Sequence, residues 1–113
     1  MKPETVRKKW IAALRSGKYE QGRDQLRSGK EYCCLGVLCD LAVKNRVISR
    51  FIGKDELLPR KVQKWAALST DDGAYFTTYF TGSLTGLNDD GESFKEIADV
   101  IERKPKGLFN GTK

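Results

Sequence analysis

Apolar side chains return at helical intervals in the first sixteen residues. Val6, Trp10, Ala13 and Leu14 share one face, and Arg7, Lys8 and Arg15 mark the opposite one. Pro3 suits a first helical turn and Gly17 a stop, since glycine accepts a left-handed backbone at little cost. The pattern predicts a helix over Glu4 to Ser16 with a solvated cationic face. From Lys18 to Tyr32 the periodicity breaks; Gly22 and Gly29 punctuate short extended pieces, and Arg27-Ser28-Gly29-Lys30 fits the closure of a hairpin. A second helix is expected from Cys34 to about Val43, with Leu35, Leu38, Leu41 and Ala42 supplying a broad apolar surface. Gly36 inside it costs about 1 kcal/mol against alanine, which close approach of another backbone would offset.

Farther along, Val47 to Ile52 reads as a strand ended by Gly53, because β-branched and aromatic residues dominate it. Pro59 opens a third helix with Val62, Trp65, Ala66 and Leu68 facing inward. Ala74 to Thr81, AYFTTYFT, has the composition of one long strand. Ser93-Phe94-Lys95-Glu96 is a capping box, followed by Phe94, Ile97, Ala98 and Ile101 at helical spacing up to Pro105. Lys106 to Lys113 is expected to be loose. Four helices with two to four short strands make an α+β domain with a small antiparallel sheet. Residues 1–104 form its single globular unit and residues 105–113 a flexible tail.

The 113 residues allow one domain, and a hydrophobic share of 39% beside a charged share of 32% suits a soluble protein. No apolar run approaches the ~18 residues of a membrane span. MKPETVRKKW has no apolar stretch behind its charges and so does not read as a secretory signal. A cytoplasmic protein is expected. Charge is uneven along the chain. Residues 1–70 hold 16 Lys/Arg against 7 Asp/Glu, and residues 71–113 hold 5 against 8, so +9 and −3 make the net +6. The basic portion suggests an anionic partner.

Catalytic chemistry is scarce. With no histidine in the chain, neither a Cys-His nor a Ser-His-Asp arrangement can be built within it. Cys33, Cys34 and Cys39 are odd in number and lack paired C-x-x-C spacing, so they read as small buried hydrophobes rather than metal ligands. Asp71-Asp72-Gly73 and Asp89-Asp90-Gly91 read as turns. No metal, cofactor or enzymatic activity is expected. Binding remains. Lys18, Arg23, Arg27 and Lys30 are candidates for phosphate contact, Tyr19 and Tyr32 for stacking on a base, and Gln21 lies in the same span. With Gly17, Gly22 and Gly29 exposing backbone amides, this segment is expected to fold into a positively charged hollow.

The stretch KYEQGRDQLRSGKEYCCLGVLCDLA resembles the core of a family of small tailed-phage and prophage proteins, which carry K-Y-x-Q-G-x-G-x-L-R leading into Y-C-C-L-G-V-L-C-D-L. Leu58-Pro59 through Leu68 is similar to that family's L-P-x-x-V-x-x-W-A-G-L, and Leu87 through Asp99 to its L-N-D-x-G-x-S-F-x-x-I-A-D. Together the matches span most of residues 8 to 102. Asp24 and Ala67 stand where the family pattern has glycine. The resemblance implies a protein made in the cytosol of an infected bacterium and dispensable for the virion. By analogy with other small non-enzymatic phage proteins, it implies an anti-defence role, as a sponge for a nucleotide immune signal such as a cyclic ADP-ribose derivative or cyclic oligonucleotide. The alternatives are a nucleic-acid-binding modulator, with Arg7, Lys8, Lys9, Arg60, Lys61 and Lys64 extending the basic stripe, and an inhibitor that binds a host defence protein. A homo-oligomer is expected, since two-fold assemblies are the commonest.

Overall fold

Two amphipathic helices and one apolar helix set the architecture. A computed structural model of the chain describes residues 1–51 and 57–110. Helix α1 (Pro3–Arg15) buries Val6, Trp10, Ile11 and Leu14, and ends at Ser16 and a left-handed Gly17 (φ +75°). Helix α2 (Cys34–Lys44) buries every residue from Cys34 to Cys39, as a helix apolar on all sides must. Its N-cap is Cys33, whose Sγ accepts from the Gly36 amide at 3.4 Å. The Trp10 indole donates to the Cys34 carbonyl at 2.9 Å, satisfying an N–H that would otherwise be costly in the core. A Cβ on Gly36 would stand 1.7 Å from the Leu26 carbonyl oxygen, so the close backbone approach that glycine invited is present.

Between these helices the chain forms β1 (Glu20–Gln21), β2 (Arg27–Ser28) and β3 (Glu31–Tyr32), in the order β1-β3-β2. β2 and β3 pair antiparallel, Arg27 opposite Tyr32 and Ser28 opposite Glu31, around a left-handed Gly29, so the expected hairpin is there. β1 pairs parallel to β3, which makes this small sheet mixed rather than antiparallel.

Helix α3 (Arg60–Trp65) follows Pro59 and directs Val62, and just beyond it Ala66 and Leu68, into the core; Trp65 is half-buried. Next come β4 (Ala74–Phe76) and β5 (Thr81–Ser83), paired antiparallel, then α4 (Leu84–Asp89) and α5 (Phe94–Arg103). α5 lies along α1, and Arg15 reaches across to Asp99 at 2.6 Å and Glu102 at 3.2 Å. Ser93 caps α5 through the Glu96 amide, and a left-handed Lys104 ends it.

The α+β expectation holds, with four local corrections. Val47 to Phe51 form no strand; Arg46 turns left-handed (φ +61°), the Val47 amide bonds back to the Ala42 carbonyl, and Val47, Ile48 and Phe51 lean on the core. Ile52 and Gly53 lie outside the described residues. The predicted strand over Ala74 to Thr81 is a tight hairpin, turned where Thr77 Oγ1 accepts from the Tyr79 and Phe80 amides. Helix α4 had no expected counterpart; Leu84 and Asn88 anchor it, and the Ser83 hydroxyl caps it through the Gly86 amide.

The expected loose tail is corrected over residues 106–110. Leu108 and Phe109 are buried, and backbone bonds join Ser69 to Leu108 and Asn110 to Ala67, because two apolar side chains fill the base of the core. Residues 111–113 lie outside the described residues.

Candidate functional site

A groove of about 830 Å³ opens between the C-terminal half of α1, β3 and the end of α2. Its cations are Lys9, Lys18 and Lys44, and its aromatic wall is Tyr19 and Tyr32. Each comes from a different piece of chain: Lys9 from the polar face of α1, Lys18 and Tyr19 from the turn after it, Tyr32 from β3, and Lys44 from the last turn of α2. The two tyrosine rings meet edge to face, with centroids 5.2 Å apart, a favourable aromatic pairing.

One polar cluster fixes the groove's floor. The Tyr19 hydroxyl donates to Asp40, Lys44 Nζ lies 3.0 Å from the same carboxylate and 3.3 Å from the Tyr19 oxygen, and its ammonium stands 5.6 Å from the Tyr19 centroid. Partial burial, then the bond to Asp40, raises the Tyr19 pKa above its usual 10.0; the same carboxylate raises that of Lys44. Tyr19 is therefore a neutral donor at physiological pH, and the charge of Lys44 is partly balanced. Lys9 and Lys18 are exposed and form no ion pair among the described residues. They carry the groove's free positive charge.

The seven residues singled out in the sequence separate into two groups. Lys18, Tyr19 and Tyr32 line the groove; Gln21, Arg23, Arg27 and Lys30 do not. Arg27 lies over the Tyr32 ring at 5.1 Å and donates from Nε to the Gly29 carbonyl. The Arg23 guanidinium rests against Gly91, 3.0 Å from where a Cβ would stand, at the turn between α4 and α5. Lys30 is exposed beside the β2–β3 turn. Gln21 has a structural role: its amide group donates to Asn88 Oδ1 and the Glu92 carbonyl and accepts from the Phe94 amide. The groove is thus lined by lysines and tyrosines, and neither arginine lines it. Asp40 and Lys44, the only charged residues in α2, were the available signal for its far wall.

The three thiols offer no accessible nucleophile. Cys33, Cys34 and Cys39 are free and buried, and burial raises all three pKa values, that of Cys39 to about 12. The reading of them as small core hydrophobes holds. No group of three or more Cys, Asp or Glu able to hold a metal ion occurs among the described residues. Nor is any described helix long and apolar enough to cross a membrane.

No curated protein and no solved structure matches the chain. A family model does match, over residues 1–105, which takes in every helix and strand described above. The chain belongs to the family defined by the domain of unknown function DUF8296.

Proposed function

We propose that this protein is a non-catalytic binder of a small phosphate-bearing nucleotide, held in the groove between α1, β3 and α2. The observation that carries the reading is the meeting of Lys9 and Lys18, which form no ion pair among the described residues, with an edge-to-face tyrosine pair around one open concavity. Lys9 and Lys18 supply charge for phosphate, Tyr32 and Tyr19 supply an aromatic face for a base, and Asp40 and Asn45 supply further polar atoms. Lack of histidine and burial of every thiol support binding over catalysis. In a bacterial cell infected by a phage, such a binder acts as a sponge that lowers the free concentration of a nucleotide immune signal.

Isothermal titration against cyclic ADP-ribose isomers and cyclic di- and trinucleotides tests this. Binding of at least one member is expected, with Lys9→Glu plus Lys18→Glu weakening it more than tenfold and Tyr32→Leu weakening it severalfold. No heat across the panel, or affinity unchanged in both variants, overturns the reading.

Backbone binding of nucleic acid is the second reading, favoured by the exposed cations Arg60, Lys61 and Lys64 on α3. A mobility-shift titration separates the two, because contacts with n phosphates make the affinity fall steeply with salt. Salt-independent binding rejects it.

A further inference from the structure

A second concavity, which shares no lining residue with the first groove, has different chemistry. A cavity of about 460 Å³ lies between the β4–β5 hairpin and α5, walled by Tyr75, Phe80, Leu87 and Val100. A neighbouring one of about 510 Å³ runs past Thr81, Gly82 and Ser83 of β5 and shares Tyr75, Phe80 and Leu87 with the first. The two therefore adjoin at the same aromatic rings. Their charged residues are Asp72, Asp90, Glu92, Glu96 and Asp99, against the single cation Arg103. Asp99 is engaged by Arg15, and Arg103 forms no ion pair among the described residues. Glu92 and Glu96 influence each other: the neighbouring Glu96 carboxyl raises the pKa of Glu92, and Glu92 lowers that of Glu96. Neither forms an ion pair among the described residues.

Three further observations bear on what fits there. β5 pairs with β4 alone among the described strands, so its outer edge has unused backbone donors and acceptors. The outer edge of β4 is different: Phe76 bridges to Lys106, with the Phe76 amide bonded to the Lys106 carbonyl. The hairpin also exposes Tyr79 (93%) and Phe76 (50%), and Phe80, which walls both cavities, is itself 57% exposed.

We propose that this face docks an extended, arginine-bearing segment of a partner protein. The segment lies along the open edge of β5, and one arginine enters the cavity between Phe80 and the Glu92–Glu96 pair. A guanidinium fits better than an ammonium, because it is flat enough to stack on Phe80 or Tyr75 while its fork meets two adjacent carboxylates. Backbone bonds to β5 supply affinity and the acidic lining supplies specificity. This surface is separate from the lysine-lined groove, so its test does not depend on the nucleotide reading.

The test is fluorescence anisotropy with a labelled, N-acetylated seven-residue peptide that alternates arginine with threonine and valine, titrated with the full chain. Saturable binding is expected, weakened at least tenfold when citrulline replaces each arginine and at least tenfold by Glu92→Gln plus Glu96→Gln. Phe80→Ala, at an exposed position, is expected to weaken it severalfold, and Lys9→Glu plus Lys18→Glu to leave it unchanged. Equal affinity for the citrulline peptide, or none for the arginine peptide, overturns the proposal. So does sedimentation showing that the free chain dimerises through this face, with Phe80→Ala restoring the monomer.

Discussion

Gln21 and Asn88 join side chain to side chain at 3.0 Å across 67 positions of sequence, and through them the turn-rich segment is locked to both C-terminal helices. Asn88 is fully buried; its Oδ1 also accepts from the Cys34 amide at 3.1 Å, and its Nδ2 donates to the Gly22 carbonyl at 2.7 Å. One amide group thus satisfies an N-terminal N–H of α2, a carbonyl beside β1 and the side chain of Gln21. Asn88→Ala removes these partners without allowing water to replace them. We expect a loss of about 3 kcal/mol of stability, read as a lower urea midpoint. Asn88→Asp keeps the acceptor but loses the donor and buries a charge, so it too is expected to destabilise. A midpoint unchanged in both variants would show that the bond network carries no stability.

Gly36 is expected to tolerate no side chain. Helix propensity alone favours Gly36→Ala by about 1 kcal/mol. Against this stands the Leu26 carbonyl oxygen, 1.7 Å from the added methyl, with its carbon at 2.7 Å. Backbone on a β-strand-flanking loop cannot yield as a flexible side chain would, so the variant should lose 3 kcal/mol or more, on the order of the largest overpacking costs. Thermal melts decide it; a raised melting temperature would mean that the loop moves freely.

Ala67 and Asp24 are the reverse case. Both adopt left-handed backbone, φ +57° and +67°, which L residues enter at a cost of about 1–2 kcal/mol. Ala67→Gly relieves that strain while adding unfolded-state entropy, for a net gain of about 0.5 kcal/mol. Asp24→Gly should gain less, since aspartate visits this region more readily than alanine does. Chemical denaturation of the two variants gives the sign directly.

The thiols predict an alkaline limit. Each is neutral in both folded and unfolded chains below about pH 8.5, the ordinary thiol value. Their folded pKa values are raised by burial, so at higher pH the unfolded chain releases protons first and stability falls. The decline should begin above about pH 8.5 and continue until Cys39 itself titrates near 12. Native protein at pH 7 should also resist a thiol reagent that modifies all three cysteines in urea. Rapid native labelling would contradict the burial.

Tyr19→Phe tests the floor of the groove. It removes the hydroxyl shared by Asp40 and Lys44 but keeps the ring against Tyr32. A loss of about 1 kcal/mol is expected, with nucleotide affinity, where present, changed less than by Lys9→Glu plus Lys18→Glu. A larger effect on affinity than that of the lysine variant would place the ligand on the hydroxyl rather than on the cations.

Much of this was legible in the chain where local physics decides. The Pro3–Gly17 helix, the Gly29 hairpin, the mostly apolar helix after Cys33 and the Ser93 cap depend on residues within a few positions of one another, so periodicity and turn chemistry find them. Val47–Phe51 misled because β-branched residues serve equally well as a core-facing loop when no neighbouring strand offers a ladder. AYFTTYFT misled because the turn over Thr77 to Phe80 has the same aromatic and threonine composition as β4 before it. Leu108 and Phe109 looked like a tail because two apolar residues have no periodicity; only a vacancy in the core gives them a place.

By itself the sequence determined the class of fold, the uneven charge, the absence of histidine chemistry and the burial of the cysteines. Charge and the lack of histidine follow from residue type alone, while the mixed class and the buried cysteines follow from short-range apolar patterning that packing then realises. Which cations meet was a tertiary decision. Lys18 joins Lys9 and Lys44 instead of Arg23 and Arg27 because α1 and α2 pack side by side, while Arg23 is carried to Gly91 as Gln21 and Asn88 draw its loop toward α4. Distances between residues far apart in sequence are set by packing a shared core, and packing depends on the whole set of side chains at once.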